Sequence, residues 1–106
     1  MVRGSMTRMA AYVISEVEIL NQTLADEYKR LAAASIHRHG GRYVVRGAQP
    51  DPVEGAWSPG RRLVIVEFPD MDRAKKWYES PEYAKALSLR QVALDRRLLF
   101  VEGLPE

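Results

Sequence analysis

The sequence predicts an α+β fold of order βαββαβ, with four strands in one antiparallel sheet and helices over one of its faces. Three observations predict it. Leu63-Val64-Ile65-Val66-Glu67-Phe68 is the most β-prone run of the chain, and Pro69-Asp70 stop it. Leu24, Tyr28, Leu31, Ala32, Ser35 and Ile36 recur at helical spacing and are followed by Gly40-Gly41. A second helical stretch then separates the strong strand from a closing apolar run, Leu98-Leu99-Phe100-Val101. Each strand–helix–strand crossover must be right-handed, which brings all four strands into one sheet.

Taken in order, Ala11 to Ile19 reads as the first strand. Val13, Val17 and Ile19 fall on one side, with Tyr12, Ile14, Glu16 and Glu18 on the other. Thr23 and Asp26 resemble a capping box at the start of the first helix, with Asp26 and Arg30 paired one turn apart on its outer face. The helix closes with His37-Arg38-His39 and two glycines, basic residues at the carbonyl end and a residue free to take positive φ. Arg42 to Arg46 is a short strand in which Tyr43 and Val45 oppose Arg42, Val44 and Arg46. Residues 47–60 hold the turn residues of a loop, and Trp57 within it must cover something, either in its own subunit or in a partner. Asp70 caps a helix that turns Ala74, Trp77 and Tyr78 inward. Ser80 caps the next, with Pro81 at its first position, and this helix is expected to run to about Asp95. Arg97 to Glu102 is the last strand. The arrangement is ferredoxin-like.

The strands are apolar on both sides. Val64 and Val66 oppose Leu63 and Ile65, and Leu98 and Phe100 oppose Leu99 and Val101. A sheet with one face in water alternates apolar with polar, so the second face needs cover too. Sheet-to-sheet homodimerisation is the economical cover.

With 106 residues, 46% hydrophobic and 28% charged, the chain has the size and composition of one soluble domain. Met1-Val2-Arg3-Gly4-Ser5 lacks the apolar stretch of a signal peptide and reads as a vector-derived scar. Residues 1–8 are thus expected to be scar and disordered N-terminus, and residues 9–106 the domain, with Met6 or Met9 as native start. The net charge of +2 falls to +1 without Arg3 and to zero without Arg8, so the pI near 9.1 makes no case for nucleic acid. No apolar run reaches the ~20 residues of a membrane span. There are no cysteines, which removes disulfides, thiolate metal sites and cysteine nucleophiles and makes a cytoplasmic location the default. His37 and His39, one residue apart, point away from each other on a helix and cannot share a metal. Phosphate loop, dinucleotide fingerprint, zinc helix and nucleophile elbow are all missing, and no cofactor or metal is expected.

Several segments together carry a resemblance: Gly40-Gly41-Arg42-Tyr43-Val44-Val45-Arg46-Gly47, Glu54-Gly55-Ala56-Trp57, Val64-Ile65-Val66-Glu67-Phe68-Pro69, Trp77-Tyr78-Glu79-Ser80-Pro81-Glu82-Tyr83 and Val101-Glu102-Gly103. From about Met9 to Gly103 the chain resembles domain of unknown function family 1330, of the dimeric α/β-barrel superfamily. The resemblance implies two sheets meeting back to back with helices outside, and it supplies no reaction. Relatives elsewhere in that superfamily include cofactor-free monooxygenases, lactone isomerases and haem proteins, but activity belongs to sites rather than folds.

The residues able to carry chemistry follow from polarity in apolar settings. Glu67 closes the strand face of Leu63 and Ile65, which is read as the edge of an apolar cavity where desolvation makes a carboxylate a usable acid or base. The plainer alternative pairs it with Arg42, Arg46 or Arg90. His39 continues the buried helix stripe toward a cavity between helix and sheet; the plainer role is stabilising the helix end. Tyr28, Trp77, Tyr78 and Tyr83 would line a pocket for a flat or acyl ligand or else pack as core, with Glu67 or Arg90 partnering buried hydroxyls. Arg42 and Arg46 share a strand face by simple alternation and could grip a carboxylate or form interfacial salt bridges. Two functions remain open: a cofactor-independent small-molecule enzyme, oxygenase- or isomerase-like, with Glu67 or His39 as proton shuttle, and a non-catalytic ligand-binding or accessory dimer.

Overall fold

The computed structural model describes residues 9–105, and the expected scar at residues 1–8 lies outside them. The order is β1 (Met9–Ile19), α1 (Gln22–Arg38), β2 (Arg42–Ala48), β3 (Arg62–Phe68), α2 (Met71–Tyr78), α3 (Pro81–Ala93) and β4 (Leu94–Pro105). The strands form one antiparallel sheet in the order β2-β3-β1-β4, with the first and third strands central. The α+β, βαββαβ expectation is met.

Local chemistry accounts for most boundaries. Asp70 and Ser80 are N-caps whose side chains accept from the amides of Arg73 and Tyr83. Pro81 follows Ser80, where its missing N–H costs nothing. At α1 the cap is Asn21, not Thr23: its side chain accepts from the Leu24 amide at 3.0 Å, so the helix begins before the expected capping box. Arg30 accordingly bonds Glu27, at 2.6 and 3.1 Å, rather than Asp26. Gly40, at φ 81°, ends the helix as its position predicts.

Three elements depart from their sequence reading. β4 starts at Leu94, three residues earlier than Arg97, and α3 stops at Ala93 rather than near Asp95. The run 90–96 has no breaker, so tertiary pairing decides: Leu94 lies opposite Ile19 and Arg96 opposite Val17, and burying Leu94 against β1 converts the helix end into strand. In β2, Tyr43 opposes Val66 while Val45 opposes Ile65, so Val44 is an extra residue. Such a bulge reverses the alternation beyond it. A second irregularity between Arg46 and Ala48 contains Gly47 at φ 86°, a conformation open to glycine.

The register assigns the faces. Ala11, Val13, Ser15 and Val17 of β1, Val64, Val66 and Phe68 of β3, and Leu94, Arg96, Leu98 and Phe100 of β4 turn toward the helices. Ala25, Tyr28, Ala32, Ser35 and Ile36 of α1, Ala74 and Trp77 of α2, and Tyr83, Ala86 and Ala93 of α3 are buried above them. The opposite face carries Tyr12, Ile14 and Glu16, Leu63, Ile65 and Glu67, and Arg97, Leu99 and Val101. Among the described residues no helix covers that face or is long and apolar enough to cross a membrane.

Candidate functional site

A cavity of about 210 Å³ lies between the helix layer and the sheet. Its floor is Val13, Ser15 and Val17 of β1, Val64 and Val66 of β3, and Leu94, Arg96 and Leu98 of β4. Tyr28, Lys29, Ala32 and Ile36 of α1 and Trp77 of α2 form the roof, and Tyr43, Arg46 and Gly47 of β2 form one side. The walls are mainly aliphatic and aromatic, with a few convergent polar groups, the usual composition of a small-molecule site.

The polar end is built on two tyrosines and an arginine. Tyr28 from the middle of α1 and Tyr83 from the first turn of α3 meet hydroxyl to hydroxyl at 2.7 Å. Arg96 reaches up from β4 and donates through Nη1 to the Tyr28 oxygen and through Nη2 to the Tyr83 oxygen, both at 2.6 Å. Ser80 helps fix Tyr83: its hydroxyl donates to the Trp77 carbonyl at 2.7 Å and accepts from the Tyr83 amide at 3.1 Å. Trp77 packs 4.3 Å from Tyr83 and 5.4 Å from Phe68, centroid to centroid, and donates its indole N–H to Ser35 at 2.9 Å.

Burial pushes the Tyr28 phenol far above its ordinary range, and the neighbouring Tyr83 adds to this. Tyr43, half-buried, is raised for the same leading reason. For Arg96, burial works against the charged form, but the tyrosine oxygens outweigh it and the guanidinium is held above its usual range. At neutral pH the Tyr28 hydroxyl is therefore neutral beside a charged Arg96. Among the described residues, Arg96, Arg46 and Lys29 have no carboxylate within ion-pairing distance, and no carboxylate or histidine lines the cavity. Ser15, only 6% exposed, lines the floor, and its hydroxyl has no hydrogen-bond partner among them.

The expected site residues are divided by this geometry. Tyr28, Arg46 and Trp77 line the cavity, and Tyr83 sits directly behind Tyr28. Tyr78 is 37% exposed and flanks Trp77 and Phe100 from outside instead of turning inward. Arg90 lies on α3 away from the cavity, and the hydroxyls it was expected to serve are served by Arg96. His39 does not reach the cavity either: its Nδ1 is 2.9 Å from the Ser35 carbonyl oxygen and its Nε2 3.7 Å from Glu82.

Glu67 stands on the opposite side of the sheet. It accepts from Arg42 at 2.7 Å and from the Tyr12 hydroxyl at 3.3 Å. The cavity formed above Val64 and Val66, not beside Leu63 and Ile65, so the carboxylate is in the plainer ion pair. The Val44 bulge also separates Arg42 from Arg46. Arg42 pairs across from Glu67 on the open face, whereas Arg46 opposes Val64 on the cavity face and stacks 4.3 Å over the Tyr43 ring. Trp57 covers its own loop, donating to the Arg61 carbonyl at 2.9 Å.

Arg96 and Ser15 are the site residues missed by sequence reasoning. Both had a signal in strand alternation. Ser15 interrupts the apolar face Ala11, Val13, Val17, and carrying the period of Leu98 and Phe100 back by one step reaches Arg96.

This sheet order and helix placement define a ferredoxin-like fold. The chain belongs to a family described as Domain of unknown function (DUF1330), whose pattern it matches over residues 10–104. It is similar to a protein of unknown function from Rhodopseudomonas palustris, with 20% identity and a TM-score of 0.75 over 95% of this chain and 88% of that one. SnoaB, a cofactor-independent oxygenase from Streptomyces nogalater, is similar at 10% identity and a TM-score of 0.64, covering 86% of this chain and 89% of that one. A dimeric, ferredoxin-like protein of unknown function from Bacteroides fragilis is similar at 12% identity and a TM-score of 0.52, covering 88% and 95%. At these identities the likeness is one of fold. No curated protein matches the chain.

Proposed function

We propose that this protein is a homodimer, each subunit of which binds a small, largely apolar organic molecule in the cavity between helices and sheet. The cavity itself carries the reading. In a core where Trp77 packs against Phe68 and Tyr83, all three fully buried, space for a ligand remains beside Trp77, and polar groups converge on it. Native mass spectrometry of freshly purified protein, followed by soaking crystals with any molecule it retains, tests this. A dimer with a discrete adduct seated over Ser15 is expected. Adducts located elsewhere, with the cavity filled by side chains, would overturn it.

The dimer is supported by the open face. Its middle row, Val45, Ile65, Ile14 and Leu99, is wholly apolar across all four strands. The rows on either side hold the Arg42–Glu67 and Arg97–Glu16 ion pairs. An apolar band framed by polar groups is what a partner sheet would cover. The absence of cysteine supports a reducing compartment, the cytoplasm.

A second reading, cofactor-independent turnover in the same cavity, is favoured by Arg96 and Tyr28. Fixed donors at one end of an apolar site stabilise negative charge developing on a substrate oxygen. With neither Glu67 nor His39 in the cavity, the substrate would have to enter already ionised or pass its proton to water rather than to a side chain. Incubating the retained molecule with the protein in air and following its mass separates the readings: a changed product marks turnover, and an unchanged ligand marks binding alone.

A further inference from the structure

Granted the ligand site proposed above, we infer that its occupant carries an anionic oxygen, a carboxylate on an apolar body, that accepts hydrogen bonds from the Tyr28 hydroxyl, Arg96 and Ser15. The protons of the buried cluster require an acceptor from outside it. Arg96 donates to both tyrosine oxygens, and one tyrosine donates to the other. Whichever way that bond runs, one hydroxyl proton is left over, and neither tyrosine has a further partner among the described residues. Tyr83 is 0% exposed and lies behind the cavity wall, whereas Tyr28 lines the cavity. The arrangement that strands no proton has Tyr83 donating to Tyr28, and Tyr28 donating into the cavity. A buried donor without an acceptor is costly, so the orientation selects an occupant that accepts.

The charge of the lining makes that acceptor an anion. Arg96, Arg46 and Lys29 are cationic and unpaired among the described residues, and no acidic side chain lines the space. Ser15 lies between the two arginines on the floor. It shares a lateral row with Arg46 through Val64, and Arg96 stands diagonally across from it on β4. Its free hydroxyl is a further donor facing the same space. Apart from Arg46, Lys29 and Tyr43 the rest of the lining is aliphatic or aromatic, which favours an apolar frame behind the anionic group.

The test titrates a panel of planar aryl carboxylic acids, each matched with its primary amide, into the full-length protein by calorimetry. Acid and amide share size and shape, so their difference reports charge. The acids are expected to bind about ten- to a hundred-fold more tightly than their amides, the worth of a hydrogen bond to a charged group. Tyr28→Phe and Arg96→Gln should each remove most of that preference, lowering acid affinity far more than amide affinity. Tyr83→Phe, which leaves the Tyr28 proton available, should keep it. Should either of the first two fail to fold, Ser15→Ala, outside the tyrosine cluster, should still lower acid affinity and spare the amide. Equal binding of acid and amide, or a preference that survives Tyr28→Phe, would overturn the inference while leaving the ligand site standing. Failure of every pair to bind would refute the site and the inference together.

Discussion

Single residues here act through the protons they hold. Tyr28 and Tyr43 are held protonated by burial beyond the ordinary tyrosine range, whereas the unfolded chain would release those protons near pH 10. Above that pH the native state binds more protons than the unfolded state, so stability must fall as pH rises. Denaturant unfolding followed between pH 8 and 11 is expected to show a plateau and then a decline beginning near pH 10. The decline should shrink in Tyr28→Phe; an identical curve in that variant would remove the assignment. Ser80 has a structural part of the same kind, at once a helix cap and a buried donor to Trp77. Ser80→Ala should cost about 1–2 kcal/mol in chemical denaturation. The tyrosines were legible in the sequence because aromatic residues at helical spacing face a core. Their arginine was harder to read, since strand alternation reaches Arg96 only if β4 is carried back past Arg97.

Elements explain why. The α3–β4 boundary falls within a run that either helix or strand would accept, and pairing of Leu94 with Ile19 across the sheet settles it. Leu94→Ala would leave a hole beside both β1 and the cavity and is expected to cost about 2–5 kcal/mol; thermal unfolding would measure it. β2 makes the same point through its bulges. Alternation alone puts Arg42 and Arg46 on one face, and one extra residue, Val44, puts Arg46 in the cavity and leaves Arg42 with Glu67. At Gly47 no atom lies within 4 Å of an added Cβ, so Gly47→Ala should cost only its backbone strain, about 1–2 kcal/mol, with no steric clash. A loss well above that in urea unfolding would mean the bulge itself had shifted.

At the scale of the whole molecule, the sheet divides two tasks between its faces: the helix side encloses the cavity, and the open side carries the apolar band. Leu99 and Val101 are 46% and 44% exposed in a single subunit, whereas Val66 is 3% exposed under the helices. Lysine in place of Ile65 or Leu99 is therefore expected to give a folded monomer, and lysine at Val66 an unfolded chain. Sedimentation velocity and circular dichroism distinguish the two. A dimer that persists in both Ile65→Lys and Leu99→Lys would place the interface elsewhere.

The sequence by itself determined the order of elements, the caps at Asp70 and Ser80, the helix stop at Gly40 and the need to cover both sheet faces. Those depend on neighbours a few residues apart, where periodicity, capping and backbone freedom act directly. Only the tertiary structure decided that the cavity lies over Val64 rather than Ile65, that Glu67 joins an ion pair and that Arg96 completes the tyrosine pair. Tyr28 and Arg96 are 68 residues apart in the chain, and Arg96 takes its register from the distant Val17, so no local pattern could report their meeting. Alternation fixes which residues share a face only up to the first bulge, and which face the helices cover is settled by packing.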